Sequence, residues 1–550
     1  MSVTPPEQPP PFYDPAPGGA PRPSGGRSPV VLGVLVGVLV FALIGAGVAG
    51  WKIFSGNDDN TVTAGSTGSK APSPAATSPA SAMPSTDPAL AAYYDQKLDW
   101  KSCGDNECAT MKVPLDYTKP DGTSIGIAVL KVPAGDPSER VGSLVVNPGG
   151  PGGSGLEYAA GGAKQFGKQL ADHYDIVGFD PRGVGKSDPL KCVDTAQMDA
   201  LLGYDPAPET AAGRDKMDSL LQTLGNGCLT ESGELARHVS TKEAARDMDI
   251  LRATLGAPKL DYLGASYGTF LGATYAEEFP THVGRFVLDG AIDPALSNEQ
   301  LSLEQAKGFE TALRAYVADC VAQGDCILGN TVDEGTARIK AFLDQVETTP
   351  LPTDTSRMLT SGWANLGIWL PLYVKDYWPY LTSALKQAFD DHNGSQLMTL
   401  ADAYASRGSS SYTDNSMEVL YAVNCLDHDD YIPTKDVPAH FAQFEKVSPT
   451  FGKAFAFGLS TCSDWPIHSG QTSGPIHAKG APPIVVIGTT RDPATPLEWA
   501  QALSKELDSG TLITRNGDGH TGFQQGNSCV DDAVEAWLIK GTQPKPDLHC

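Results

Sequence analysis

At 550 residues, 41% of them hydrophobic and 19% charged, the chain is long enough for a large core or two domains, with some non-globular sequence besides. Its formal net charge of −25 repels phosphate backbones and argues against nucleic acid as a partner; a soluble acidic surface accounts for it.

Residues 1–28 are rich in Pro and Gly and carry Arg22 and Arg27, the composition of a disordered tail held on the cytoplasmic side. Within 29–53, the run "VVLGVLVGVLVFALIGAGVAG" (30–50) has no polar or charged side chain. It is close to the ~20 residues that cross a bilayer core as a helix, with Trp51 and Lys52 placed as interface anchors. The expectation is a retained single-span anchor with everything after it outside the cell. The alternative is a cleaved signal segment and free secretion, although such apolar regions usually run about 7–15 residues. Residues 54–89, rich in Ser, Thr, Pro and Ala, form a disordered tether.

Folded sequence begins near residue 90. The runs "IGIAVLKV" (125–132), "GSLVVNPGG" (142–150), "YDIVGFDPRG" (174–183), "LDYLGASYG" (260–268), "VGRFVLDG" (283–290), "PPIVVIGTTRD" (482–492) and "GTLITRNGDGH" (510–520) are apolar and bounded by turn residues. Continuous rather than alternating apolar character predicts strands buried on both faces, as in a parallel sheet. Helical patterns lie between them, such as "TKEAARDMDILRATLG" (241–256) and "VDDAVEAWLIKG" (530–541). The alternation predicts an α/β fold with a doubly wound, mostly parallel sheet. One interval is too long for it. Residues 294–470, helical in pattern and rich in aromatics, are expected to form a cap inserted between a first core part (90–293) and a second (471–550). That places the cap over the sheet's C-terminal edge, where α/β enzymes build their sites.

All ten cysteines follow the apolar run: Cys103, Cys108, Cys192, Cys228, Cys320, Cys326, Cys425, Cys462, Cys529 and Cys550. An even number confined there argues for disulfides in an oxidising compartment. Spacing alone leaves the connectivity open, while inviting pairing of neighbours. No His/Cys pair has the spacing of a zinc site, so no metal is expected, and no cofactor.

With 59 glycines, the pattern G-x-S-x-G recurs by chance, and it occurs at 122–126 around Ser124 as well as at 264–268 around Ser266. Ser124 precedes its strand, next to a hairpin signal. Ser266 follows a strand and precedes a helix-compatible run, the context of a nucleophile elbow. A serine hydroxyl needs a base beside it. Asp492 and His520 each fall just past a late strand, in the order Ser, Asp, His that this architecture uses. Asp492 would orient His520, and His520 would take the Ser266 proton. Asp518 is the rival acid, read as a loop residue. "NPGGPGGSG" (147–155) supplies an oxyanion loop, with Gly150 N–H and Tyr267 N–H as donors; Pro151 has no N–H to offer.

The motifs "CATMKVPLDYTKPDG" (108–122), "NPGGPGGSG", "FDPRGVGKSD" (179–188), "GASYGTFLG" (264–272), "FVLDGAIDP" (286–294), "TCSDWP" (461–466), "GTTRDPATP" (488–496) and "GDGHTGF" (517–523) occur in order. Together they resemble the actinobacterial tripeptidyl aminopeptidases, serine exopeptidases in the prolyl-aminopeptidase-like branch of the α/β-hydrolase fold. The resemblance implies Ser266, Asp492 and His520 as the triad, a cap limiting access to chain ends, and peptides with a free N-terminus as substrates. The N-terminal span departs from members carrying ordinary signal peptides.

An aminopeptidase binds its substrate's amine with a carboxylate. Glu418 or Asp427, in the acidic stretch 417–431, are the expected amine ligands, a solvated acidic cluster being the alternative. His428 is read as a surface histidine, and Thr495 as a support for the triad loop. The competing functions are a carboxylesterase or lipase with the same triad, and a surface protein that binds partners without catalysis. Oligomeric state is not legible in the sequence.

Overall fold

A computed structural model describes residues 88–468 and 474–550. The tail, the apolar run 30–50 and most of the tether lie outside the described residues. Among the described residues, no helix is long and apolar enough to cross a membrane.

The described residues form a ten-stranded sheet. In chain order its strands are β1 Lys101–Cys103, β2 Asn106–Pro114, β3 Ser124–Val132, β4 Gly142–Asn147, β5 Tyr174–Phe179, β6 Leu260–Ala265, β7 Val283–Asp289, β8 Ile484–Arg491, β9 Gly510–Asp518 and β10 Leu548–His549. The spatial order is β1-β2-β3-β5-β4-β6-β7-β8-β9-β10. β1 to β3 pair antiparallel, as do β3 and β5, and every pairing from β5 through β10 is parallel.

The continuous apolar runs are explained by burial on both faces. Leu144 and Val146 of β4 pack on one side while Val145 packs on the other. Val485 and Ile487 of β8 separate from Ile484 and Val486 in the same way. One face is covered by helices Thr241–Thr254 and Tyr267–Glu278, through Met248, Leu251, Leu271 and Tyr275. The other is covered by Gly155–Ala160, Gly162–His173 and Ser528–Lys540, through Leu156, Phe166, Leu170, Val534 and Trp537. Apolar side chains on both faces leave the strands no solvent side, which parallel sheets require.

The chain leaves β4 for β5 on one side of it and later returns as β6 on the other. This reversal opens a crevice beyond the C-terminal ends of β4 and β6, the natural ligand position in an open α/β sheet. The glycine-rich loop after β4 and Ser266 after β6 stand there.

Between β7 and β8 runs the long helical insertion, including Asn298–Ala322, Val332–Thr348, Ser361–Leu372, Trp378–Asp390, Ser395–Tyr404 and Ser416–Asp427. Its centre is aromatic: the rings of Phe309, Trp369 and Phe455 lie 5.0–5.6 Å apart by centroid. It does not stand alone. Helices Thr195–Leu202 and Ala211–Ser232, between β5 and β6, pack against it. Arg407 bonds Asp199 at 2.9 Å, Thr360 Oγ1 donates to Gly203 O, and Thr434 Oγ1 donates to Asp218. Two separated segments of chain thus build one roof.

The ten cysteines form five disulfides, each between sequence neighbours: Cys103–Cys108, Cys192–Cys228, Cys320–Cys326, Cys425–Cys462 and Cys529–Cys550. Covalent closure throughout the folded region is the chemistry of an oxidising compartment.

Candidate active site

Ser266 ends β6 and caps helix Tyr267–Glu278, with φ 56° and ψ −127°. L-residues avoid this region, and holding one there costs on the order of 1–3 kcal/mol. The flanking glycines make the turn possible, since a Cβ on Gly264 would sit 2.3 Å from Gly268 O. A Cβ on Gly149 would lie 2.8 Å from both Ser266 Cβ and Tyr267 N, so the glycine-rich loop lies directly against the serine turn. Ser266 N donates to Asp289 O at 2.9 Å, and Thr269 Oγ1 donates to Ser266 O at 2.6 Å. The other G-x-S-x-G match has none of this: Ser124 is exposed at the start of antiparallel β3, opposite Pro114.

His520 follows β9, and Asp492 follows β8. His520 Nδ1 lies 2.9 Å from both carboxylate oxygens of Asp492, which is 2% exposed. Asp492 also accepts from Ala494 N, Thr495 N, Thr495 Oγ1 and Thr521 N at 2.9–3.0 Å. Donation of Nδ1–H to the Asp492 carboxylate leaves Nε2 as the basic nitrogen. Nε2 is buried without a protein hydrogen-bond partner. Burial alone lowers the imidazole pKa, but the negative charge and hydrogen bond of Asp492, with the charge of Asp289, outweigh it and raise the pKa above the ordinary value. Asp518 does not compete for the histidine, because Arg491 and Lys375 hold its carboxylate.

Ser266, His520 and Gly150 line one cavity of about 210 Å³. Gly150 also lines a second of about 420 Å³, as do Pro151, Tyr373, Tyr404 and Leu420, so the two chambers adjoin. Tyr267 is the first residue of its helix, where an N–H has no intrahelical acceptor. The larger chamber is walled by Phe309, Trp369, Phe455 and other aromatics of the roof, with His428 and Asp293 among its polar groups.

Several positions were not legible in the sequence. Tyr373, from the insertion, accepts His520 N at 2.8 Å and sets its ring edge-on to the imidazole at 5.4 Å. Glu157, Asp289 and Asp414 are the carboxylates lining the serine chamber. The expected amine ligands are elsewhere. Glu418 accepts from Cys192 N at 2.8 Å and Val193 N at 2.9 Å. Asp427, 7% exposed, accepts from the amide and hydroxyl of Thr241. Neither lines a chamber. Both carboxylates are occupied in holding the roof helix Ser416–Asp427 to the rest of the molecule. His428, read as a surface residue, is instead largely covered beside the larger chamber, and burial lowers its pKa. Among the described residues no group of His, Cys, Asp and Glu is arranged to hold a metal ion.

Strand order, the switch-point crevice and a strained serine on a strand-to-helix turn define an α/β-hydrolase. The TAP-like protein family model matches residues 448–550. Serine protease Hip1 of Mycobacterium tuberculosis is 35% identical over 477 residues, covering 83% of this chain and 91% of that protein. Carboxylesterase B of the same organism is 36% identical over 453 residues (80% and 86%). Tripeptidyl aminopeptidase of Streptomyces lividans is 32% identical over 474 residues (82% and 86%). The chain belongs to the tripeptidyl aminopeptidase-like serine hydrolases of the α/β-hydrolase fold.

Proposed function

We propose that this enzyme is an exported serine exopeptidase that releases short peptides from free N-termini, with Ser266 as nucleophile, His520 as base and Asp492 as its orienting acid. The observation that carries the reading is His520, hydrogen-bonded through Nδ1 to Asp492, lining one cavity with the strained Ser266. Ser266 Oγ attacks the scissile carbonyl carbon as His520 Nε2 takes its proton. The carbonyl π electrons move onto oxygen, where Gly150 N–H and Tyr267 N–H donate to the oxyanion. Collapse breaks the C–N bond, and His520 returns the proton to the leaving amine. Water then adds to the acyl-enzyme by the same route, freeing the peptide acid and Ser266.

Two features favour a free amine at the substrate's end. Roof residues line both chambers and narrow access toward a chain end. In the serine chamber, neither Glu157 nor Asp414 forms an ion pair among the described residues, and burial with the neighbouring charges of Asp414 and Asp180 pushes the Glu157 carboxyl up to about 7. A substrate ammonium bound there would relieve that cost. The name of the Streptomyces relative agrees. The second reading, an esterase, draws on the aromatic wall of the larger chamber and on the relative named Carboxylesterase B.

Location follows the same chemistry. Five disulfides suit a protein working outside the cytoplasm, and residues 29–53 are proposed as the anchor that keeps it at the membrane. Fractionation of cells expressing the full chain tests this: recovery only in the medium removes the anchor.

The decisive comparison sets tripeptidyl, single-aminoacyl and N-acetylated chromogenic peptides beside simple esters, on the purified protein and its Ser266→Ala variant. Turnover of free-amine peptides that N-acetylation abolishes is expected. Turnover of esters alone overturns the peptidase reading, and full activity in the alanine variant overturns the triad.

A further inference from the structure

Asp289, the last residue of β7, touches both halves of the proposed machinery. Its main-chain oxygen accepts Ser266 N at 2.9 Å. Its side chain turns toward the histidine loop, with Oδ1 accepting Gly522 N at 2.7 Å and Oδ2 accepting Phe523 N at 2.9 Å. Gly290 follows at φ +69°, and a Cβ there would stand 3.3 Å from His520 Cε1 and 3.1 Å from Thr495 Oγ1. The β7 turn therefore lies under the imidazole. Asp289 is 3% exposed and forms no ion pair among the described residues.

We propose that Asp289 is a positioning residue, which holds the loop carrying His520 in register with the amide of Ser266 and so sets the approach of base to nucleophile. This rests on the reading of Ser266 and His520 given above. An apolar residue, or an asparagine, would fill the same space. The carboxylate gives each of two N–H groups from consecutive residues its own oxygen, where an asparagine in the same pose would turn its NH2 toward one of them. The rest of the loop is held by different groups: Thr489 Oγ1 donates to Thr521 O at 2.7 Å, Arg515 donates to Asp518 O and Gln525 O, and Asp492 accepts Thr521 N. Among the described residues, Asp289 alone hydrogen-bonds that loop to the strand pair leading to the serine.

The charge matters as well as the shape. The charged or titratable groups around Asp289 are His520, Asp492, Arg515 and the Tyr158 hydroxyl. Burial pushes the Asp289 carboxyl up to about 6, against the pull of its two backbone donors. Above that pH it is an anion that adds to Asp492 in raising the basicity of His520. Below it, the loop loses its charged acceptor and His520 loses one of two supporting charges.

The test compares wild type, Asp289→Asn and Asp289→Glu for labelling of Ser266 by a fluorophosphonate and for steady-state turnover of the best chromogenic substrate across pH. Asparagine presents an NH2 to one of the two N–H groups. The expected result is a kcat lower by about 10- to 100-fold, as small misplacements of reacting groups produce, with KM within about threefold. The acid limb of kcat/KM moves to lower pH, and glutamate recovers part of the labelling rate. A folded asparagine variant with wild-type kcat, labelling rate and acid limb overturns the proposal. If that variant does not fold, amide hydrogen exchange in the wild type decides. Protection at Gly522 and Phe523 that falls between pH 7.5 and 5, after correction for intrinsic rates, supports the coupling, and unchanged protection overturns it. Failure of wild-type Ser266 to label refutes the underlying triad instead, which keeps the two failures apart.

Discussion

Thr495 Oγ1 donates to Asp492 Oδ2 at 3.0 Å and itself lies 3.3 Å from His520 Nδ1. It therefore braces the acid on the side where the histidine approaches. Removing it takes away one of several donors to a buried carboxylate, and hydrogen bonds to such groups are worth about 1.5–3 kcal/mol. Thr495→Ala is expected to lower kcat/KM roughly tenfold, while Thr495→Ser stays near wild type. Equal rates for alanine and serine would assign the position to packing alone.

The backbone of Ser266 makes a prediction about stability that is separate from chemistry. Ser266→Ala removes the hydroxyl but keeps a Cβ at φ 56°, so turnover should fall by about 10⁴-fold or more with little change in melting temperature. Ser266→Gly should be equally inactive yet more stable than alanine, by roughly 1 kcal/mol, because glycine adopts this region freely. Calorimetry of the two variants checks it; a glycine variant that melts at or below the alanine variant contradicts strain at position 266.

Asp427 carries a pH-dependent stability term. Burial pushes its carboxyl up to about 7, against the hydrogen bonds from Thr241. The unfolded chain has an ordinary value near 3.9, so between pH 4 and 7 the folded state binds more protons than the unfolded one. Stability then falls as pH rises through that window. Asp427→Asn should flatten this part of the curve and, with the side chain outside both chambers, leave KM for free-amine peptides unchanged. Denaturant midpoints at several pH values measure the first effect. A rise in KM of tenfold or more would restore Asp427 as a substrate ligand.

The disulfides differ in the length of chain they close. Cys192–Cys228 spans 36 residues and Cys103–Cys108 only 5. Chain-entropy arguments put the first near ~4 kcal/mol and the second near ~2 kcal/mol. Cys192→Ser with Cys228→Ser should therefore lower the melting temperature more than the Cys103→Ser, Cys108→Ser pair. It should also loosen the roof, because the Cys192 amide is one of the two that Glu418 holds. Melting curves and KM of the two double variants decide whether that order holds.

What the sequence determined by itself was the layout of the sheet and the order along the chain of the three groups proposed as the triad. Parallel strands covered on both faces must be apolar throughout, so β4, β6, β7 and β8 are legible as short unbroken runs. Ser266, Asp492 and His520 are legible because each stands just past the end of such a strand. The cysteine order invited pairing of neighbours without fixing it, since the loops so closed run from 5 to 37 residues. Tertiary structure alone decided where the remaining side chains point. Glu418 and Asp427 sit on a helix that touches a chamber, yet their carboxylates face the chain, because helix rotation is set by packing and by unsatisfied N–H groups at Cys192, Val193 and Thr241. Glu157 and Asp414 share a chamber although far apart in sequence. Helices Thr195–Leu202 and Ala211–Ser232 join the roof because an amphipathic pattern names a buried face without naming its partner. Asp289 reads in sequence as a strand-ending turn residue; only the fold brings Gly522 and Phe523 to its two oxygens.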